Sequence, residues 1–112
     1  TWKNHPTSHA VLTEPTCMAS VHKHVYRAED GSRKTLLAFF NPDSYQSRDH
    51  LTLKLSFDNG MTWPEKYWLT LDDWGGFGYS CITTIDEDTL GIVYEGSGAQ
   101  LVFQQIRWKD LL

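Results

Sequence analysis

The most regular polar pattern in the sequence is an S-x-D-x-G-x-T-W segment. Its five defining positions are Ser56, Asp58, Gly60, Thr62 and Trp63. In a tight turn an Asp accepts hydrogen bonds from backbone N–H groups, a Gly supplies a positive φ, and a Trp packs against the turn to fix it. This chemistry is structural, so the segment predicts a fixed hairpin turn and says little about catalysis. The alternative is a fortuitous hairpin that happens to contain Asp-x-Gly.

Two histidines have a spacing that suits metal binding. His22 and His24 lie two apart on a predicted strand and therefore share a face, and imidazole is a common zinc ligand. No third ligand with suitable spacing stands out, and His5 and His9 have less support. We therefore expect a solvated histidine pair, with no metal or other cofactor. The sequence also has no glycine-rich phosphate loop and no G-x-S-x-G serine motif.

The elements that position these residues are strands. Short runs of β-branched and aromatic residues, separated by turn signals, predict an all-β protein with antiparallel hairpins and no convincing helix. The expected strands are 17–26, 35–40, 51–56, 67–71, 79–85, 89–94 and 101–106. Antiparallel strands at this spacing form sandwiches, barrels or propeller blades, and the pattern alone does not choose among them.

The composition is that of a packed globular protein. The 112 residues are 40% hydrophobic and 21% charged, with a net charge of -4 and no basic stripe, so nucleic acid is not an expected partner. No apolar run approaches the roughly 20 residues that a membrane span needs. Cys17 and Cys81 lie in apolar runs, which favours two buried thiols over a disulfide. The absence of an initiator Met suggests a segment of a longer chain.

Four ordered segments around the S-x-D-x-G-x-T-W turn resemble the last part of exo-α-sialidases of the bacterial type. They are 14–20, 41–42 followed by 47–53, 78–83 and 91–96, and the turn itself resembles the Asp-box repeat of that family and of other β-propellers. The resemblance covers nearly the whole chain. It implies antiparallel blades of a sialidase-type β-propeller, about two of six, with approximate blades at 1–71 and 72–112.

The resemblance also implies roles for three residues. Arg48 would bind the carboxylate of sialic acid, Tyr79 would be the catalytic nucleophile, and Glu95 would hold an arginine of the substrate site. A guanidinium fork suits a carboxylate, and a neutral phenol avoids the repulsion that an acidic nucleophile meets from an anionic substrate. The implied reaction is hydrolysis of terminal sialic acid from glycoconjugates with retention, through a tyrosyl-enzyme intermediate.

Other groups that the resemblance requires have no counterpart in the sequence. These are an acid/base aspartate, a glutamate that takes the phenol proton, and two further arginines. We therefore expect the isolated 112 residues to be inactive, and we expect their uncovered flanks to pair with the remainder of a sialidase propeller or to self-associate. The usual work of the family on external glycans favours an exported protein, secreted or periplasmic, or lysosomal in a eukaryote.

Two other functions stay open. A noncatalytic Asp-box propeller that binds glycans or proteins would keep the turn without needing Arg48, Tyr79 and Glu95. A free-standing small β domain would use the S-x-D-x-G-x-T-W segment only as a turn.

The aromatic loop 74–77 is expected either to line the pocket entrance or to pack on neighbouring strands.

Overall fold

The chain forms two antiparallel β-sheets. The computed structural model describes residues 3–7, 11–13, 15, 17–73, 78–98 and 100–112. The first sheet has the order β1 (Ser20–Arg27), β2 (Arg33–Pro42), β3 (Leu51–Ser56) and β4 (Trp68–Asp72), and the second has β5 (Ser80–Asp86), β6 (Thr89–Glu95) and β7 (Leu101–Arg107). The other helical or strand elements in these ranges are two 3-10 helices, Glu65–Tyr67 and Trp108–Leu111. The prediction of an all-β, antiparallel fold is confirmed.

Neighbouring strands in each sheet follow one another along the chain. Ser20 lies opposite Phe40 in the β1–β2 pair, and Glu95 lies opposite Leu101 in the β6–β7 pair. Because antiparallel hairpins alternate between the two ends of a sheet, the connections β2–β3, β4–β5 and β6–β7 emerge at the same end. This end carries the polar residues to which the sequence resemblance gives roles. The division into blades at 1–71 and 72–112 stays a prediction.

The hydrophobic core lies between the two sheets. Leu36 and Phe40 of β2, Leu53 of β3, and Leu90 and Ile92 of β6 have 1% or less of their surface exposed. They recur at every second position because successive strand residues point to opposite faces. Each such side chain contributes about 1.5–3 kcal/mol of burial free energy. The core therefore fixes one face of each sheet against the other.

The outer faces of the sheets are partly apolar and exposed. On the first sheet Val21 is 66% exposed, and on the second Leu101 and Phe103 are 77% and 53% exposed. Cys81 is also exposed, so the prediction that both thiols are buried is wrong for this residue; Cys17 is partly buried. The reason is strand alternation: Ile82 takes the core side of β5 and leaves its neighbour outside.

The turn between β3 and β4 is ordered by Asp58. Its Oδ1 accepts hydrogen bonds from the Ser56 hydroxyl and the Thr62 backbone N–H, both at 2.8 Å, and Oδ2 accepts one from the Thr62 hydroxyl at 2.5 Å. These bonds, led by the Thr62 hydroxyl, lower the pKa of Asp58 to about 2. Gly60 has a φ of 84°, and its carbonyl accepts a 2.9 Å bond from the Trp63 indole. The turn is thus closed by side chains as well as by the backbone.

No helix in the described parts of the chain is long and apolar enough to cross a membrane.

Candidate functional site

Arg48, Tyr79 and Glu95 come together at one end of the two sheets. Arg48 lies in the β2–β3 connection, Tyr79 immediately precedes β5, and Glu95 is the last residue of β6. The guanidinium carbon of Arg48 lies 5.5 Å from the centroid of the Tyr79 ring. The backbone N–H of Tyr79 donates to Glu95 Oε1 at 3.2 Å. Each residue comes from a different segment, so their proximity is a product of the fold.

Tyr79 is held to β6 by backbone bonds as well. The Glu95 N–H donates to the Tyr79 carbonyl at 2.9 Å, and the Gly78 N–H donates to the Glu95 carbonyl at 3.2 Å. These bonds extend the β5–β6 ladder past the start of β5. The Tyr79 side chain is 46% exposed. Its backbone is therefore fixed while its ring remains accessible from solvent.

The residue before Tyr79 must be a glycine. Gly78 has a φ of 89°, a region that residues with a Cβ rarely adopt. A Cβ at this position would lie 3.0 Å from Cys17 Sγ, 3.1 Å from Pro42 Cγ and 3.7 Å from Arg48 Cβ. The chain that leads into Tyr79 is thus packed directly against the first sheet and against the base of Arg48.

An ion pair between Lys54 and Asp43 lies at the base of the β2–β3 connection that carries Arg48. Lys54 Nζ donates to Asp43 Oδ1 at 2.7 Å and lies 4.0 Å from the centroid of the Trp68 ring, with none of the lysine side chain exposed. The Asp43 backbone N–H donates to the His50 carbonyl at 3.0 Å, which closes the connection at its base. Burial raises the pKa of Asp43, but hydrogen bonds from Lys54 and Thr13 outweigh it, so the pKa lies below its usual value.

A second carboxylate fixes the connection that follows Glu95. Asp72 Oδ2 accepts a 2.8 Å hydrogen bond from the Ser97 backbone N–H. A Cβ on Gly96 would lie 2.9 Å from the same oxygen, so the absence of a side chain there allows the carboxylate to approach. Asp72 thereby links the last strand of the first sheet to the β6–β7 connection.

Sequence reasoning did not identify Lys54, Asp43 or Asp72. The sequence does show a charged residue, Lys54, at a polar position of the alternating strand β3. Alternation alone cannot show whether other parts of the chain pack over the polar face of a strand and bury it. In the structure all six residues of β3 are buried. The contact from Thr13 shows that chain preceding β1 contributes to this cover.

His22 and His24 both bond one hydroxyl group between the two sheets. The prediction of a solvated pair is wrong for His24, which is fully buried, and His22 is partly buried. His22 Nε2 lies 2.8 Å and His24 Nδ1 2.9 Å from Thr84 Oγ1, while His24 Nε2 lies 2.7 Å from the Glu87 carbonyl. A carbonyl only accepts, so His24 donates to Glu87 from Nε2. Among the described residues, no group of three His, Cys, Asp or Glu side chains is placed to hold a metal ion.

The remaining candidates are the aromatic loop 74–77 and the two histidines near the start of the chain. The loop 74–77, expected at the pocket entrance, lies outside the described residues, as does His9. His5 is described, and its ring bonds the Thr7 hydroxyl at 2.9 Å, next to the β3–β4 turn.

Comparisons with known proteins agree with this fold and place the chain among larger proteins. A sialidase of Bacteroides fragilis (strain YCH46) is 40% identical over 112 residues, which is 100% of this chain and 20% of that protein. A sialidase of Micromonospora viridifaciens is 33% identical over 99 residues, 87% of this chain and 15% of that protein. No protein-family profile matches the chain.

The solved structure of the Hadza microbial sialidase Hz136 superposes with a TM-score of 0.87. It is 42% identical and covers 100% of this chain, which in turn covers 21% of that structure. The chain is therefore an all-β, antiparallel segment with the arrangement found in a larger protein. It corresponds to one segment of a larger sialidase and spans between 15% and 21% of the length of these relatives.

Proposed function

We propose that the protein containing this segment is an exo-α-sialidase, a glycoside hydrolase that removes terminal sialic acid from glycoconjugates with retention. The observation that carries the proposal is the meeting of Arg48, Tyr79 and Glu95, with the arginine 5.5 Å from the tyrosine ring and the glutamate bonded to the tyrosine backbone. The sialidase names of the relatives support the same substrate class.

In this proposal Arg48 orients the substrate and Tyr79 reacts with it. Sialic acid carries a carboxylate on its anomeric carbon, and a guanidinium binds both carboxylate oxygens through its planar fork. The Tyr79 oxygen attacks the anomeric carbon, the glycosidic C–O bond breaks, and the departing oxygen takes a proton from a carboxylic acid supplied by another part of the protein. Water then releases sialic acid with its original anomeric configuration.

The phenol of Tyr79 needs a base in order to react. An ordinary tyrosine has a pKa of about 10 and is a poor nucleophile while it keeps its proton. Glu95 Oε1 accepts a hydrogen bond from the Tyr79 backbone N–H. We propose that Glu95 holds the residue in place and that a carboxylate from another part of the protein takes the phenol proton. We therefore propose that the 112 residues alone do not turn over sialosides.

The same proposal accounts for the apolar outer faces. Val21, Leu101 and Phe103 are more than half exposed, and an open apolar groove of about 540 Å³ crosses the outer face of the first sheet. We propose that these faces are flanks of about two blades of a six-bladed propeller and pack against the remaining blades. Because such enzymes act on external glycans, we propose an exported protein.

The test is hydrolysis of a fluorogenic sialoside by the full-length protein and by the 112-residue chain. Tyr79→Phe removes the nucleophilic oxygen and should lower the rate of the full-length protein on the order of 10²-fold or more. Tyr45→Phe is the matched control, because Tyr45 is an exposed tyrosine in the neighbouring β2–β3 connection. NMR of the first product anomer tests retention.

Full activity in Tyr79→Phe would overturn the nucleophile assignment. Binding of sialosides without hydrolysis by the full-length protein would favour a noncatalytic propeller instead.

A further inference from the structure

Ser80 is the first residue of β5 in the second sheet, and its hydroxyl forms a hydrogen bond with a residue of the first sheet. Ser80 Oγ lies 2.5 Å from Ser20 Oγ, on the first residue of β1, although the two residues are 60 apart in sequence. It also lies 3.5 Å from the Phe40 carbonyl, at the outer limit of a hydrogen bond. Ser20 and Phe40 face each other in the β1–β2 ladder. One side chain thus connects the start of β5 to two strands of the first sheet.

The hydroxyl pair is largely shielded from water. Ser80 donates toward the Phe40 carbonyl, and either serine can be the donor in the bond between the two hydroxyls. Ser20 is only 9% exposed, so water competes poorly for the pair. Removing one hydroxyl leaves the other without this partner at a position where water replaces it poorly, which is unfavourable.

The geometry of the proposed site depends on contacts between the two sheets. Tyr79 belongs to the second sheet and Arg48 to a connection of the first, so the 5.5 Å between them depends on how the two sheets are held. The bonds from Glu95 fix Tyr79 only within its own sheet. Other bonds between the sheets join Asp72 to Ser97 and the two histidines of β1 to Thr84, at residues at least five positions from Tyr79 in sequence. Ser80, in contrast, directly follows Tyr79.

We propose that the Ser20–Ser80 hydroxyl pair is a positioning device for Tyr79. The hydroxyl pair holds the residue next to Tyr79 against the first strand of the first sheet, and so helps to fix the distance between Tyr79 and Arg48. Ser80 acts through the adjacent backbone and does not touch substrate. The proposal rests on the proposed function of Tyr79, since a displacement of about 1 Å matters only where a reaction needs that geometry.

The experiment uses the full-length protein with Ser80→Ala, Ser20→Ala and the double variant. Each single change should lower kcat for a fluorogenic sialoside about tenfold and leave KM within about twofold, because it displaces the nucleophile without removing a substrate contact. The double variant should be no slower than either single one, since both remove the same bond. Ser80→Thr, which keeps a hydroxyl, should recover most of the rate.

The control is Thr83→Ala, which removes an exposed hydroxyl from the same strand. An unchanged kcat in Ser80→Ala, or rate losses that add in the double variant, would overturn the positioning role while leaving the sialidase function intact.

A second measurement separates this proposal from the function of the protein. Hydrogen exchange of the Tyr79 amide, followed in the same variants, should be faster in Ser80→Ala than in Thr83→Ala even if no variant hydrolyses sialosides. Equal exchange in the two would show that the hydroxyl pair does not restrain Tyr79.

Discussion

The carboxylate of Glu95 accepts a hydrogen bond from the backbone of Tyr79, 16 residues earlier, at 3.2 Å. The sequence resemblance gives Glu95 a different task, the support of a substrate-binding arginine. The two tasks are compatible, because a carboxylate has two oxygens and only Oε1 is engaged with Tyr79. Glu95 can therefore hold the proposed nucleophile with one oxygen and offer the other to a cation.

Substitutions at Glu95 should separate these two tasks. Glu95→Gln keeps an oxygen that can accept from the Tyr79 amide, whereas Glu95→Ala removes it. Hydrogen exchange of the Tyr79 amide should stay slow in Glu95→Gln and become about fivefold faster in Glu95→Ala, as expected for loss of one hydrogen bond of about 1 kcal/mol. If Glu95 also supports an arginine, both variants should lose sialidase activity. Equal exchange in both would contradict the observed bond.

Arg48→Lys should weaken substrate binding in the full-length protein, although it preserves the positive charge. Lysine lacks the planar fork that holds both oxygens of a carboxylate, so KM for a sialoside should rise about tenfold, and more in Arg48→Ala. Arg33→Lys is the matched control, since Arg33 is exposed and lies beside the β1–β2 turn at the other end of the sheet. An unchanged KM in Arg48→Lys would remove Arg48 from the substrate site.

The strands were predictable from the sequence, because alternation and turn signals act over a few residues. The site was not. Arg48 and Tyr79 are ordinary loop and strand residues by pattern, and only the likeness to a known family singled them out. The roles of Ser20 and Ser80 depend on contacts between residues 60 apart, which no local pattern contains. The same limit applies to Lys54, whose polar position in β3 gave no indication of burial.

Lys54→Met should destabilise the chain even though methionine fills a similar volume. The change leaves Asp43, whose side chain is 26% exposed, without the ammonium group that lies 2.7 Å away. Breaking a buried ion pair on one side is unfavourable by about 3–5 kcal/mol, and the partial exposure of Asp43 should reduce this to about 2–3 kcal/mol. Urea unfolding measures the difference.

Lys34→Met, at an exposed position of β2, should change the free energy of unfolding by less than about 0.5 kcal/mol. If both variants unfold at the same urea concentration, the buried pair does not stabilise the fold. Asp43→Asn combined with Lys54→Met should recover part of the loss, because no uncompensated charge then remains.

The pH dependence of stability should carry opposite contributions from His22 and His50. Burial, and to a lesser degree the charge of His24, lowers the pKa of His22 below 6.5 in the folded chain, so the unfolded chain binds the proton more readily. Stability from this residue is therefore present above about pH 6.5 and is lost as the pH falls below it.

His50 contributes in the opposite direction. The hydrogen bond from His50 to Asp49 raises the pKa of His50, so its contribution to stability is present below pH 6.5 and is lost as the pH rises through the pKa of the folded chain. Thermal unfolding between pH 5 and 8 should then show that His22→Gln makes the chain less sensitive to acid and His50→Gln makes it more sensitive. The slope of Tm against pH is the quantity to compare, since His22→Gln also changes the bond to Thr84 and shifts Tm at every pH. A change of slope in the same direction for both variants would contradict the placement of His22 between the sheets.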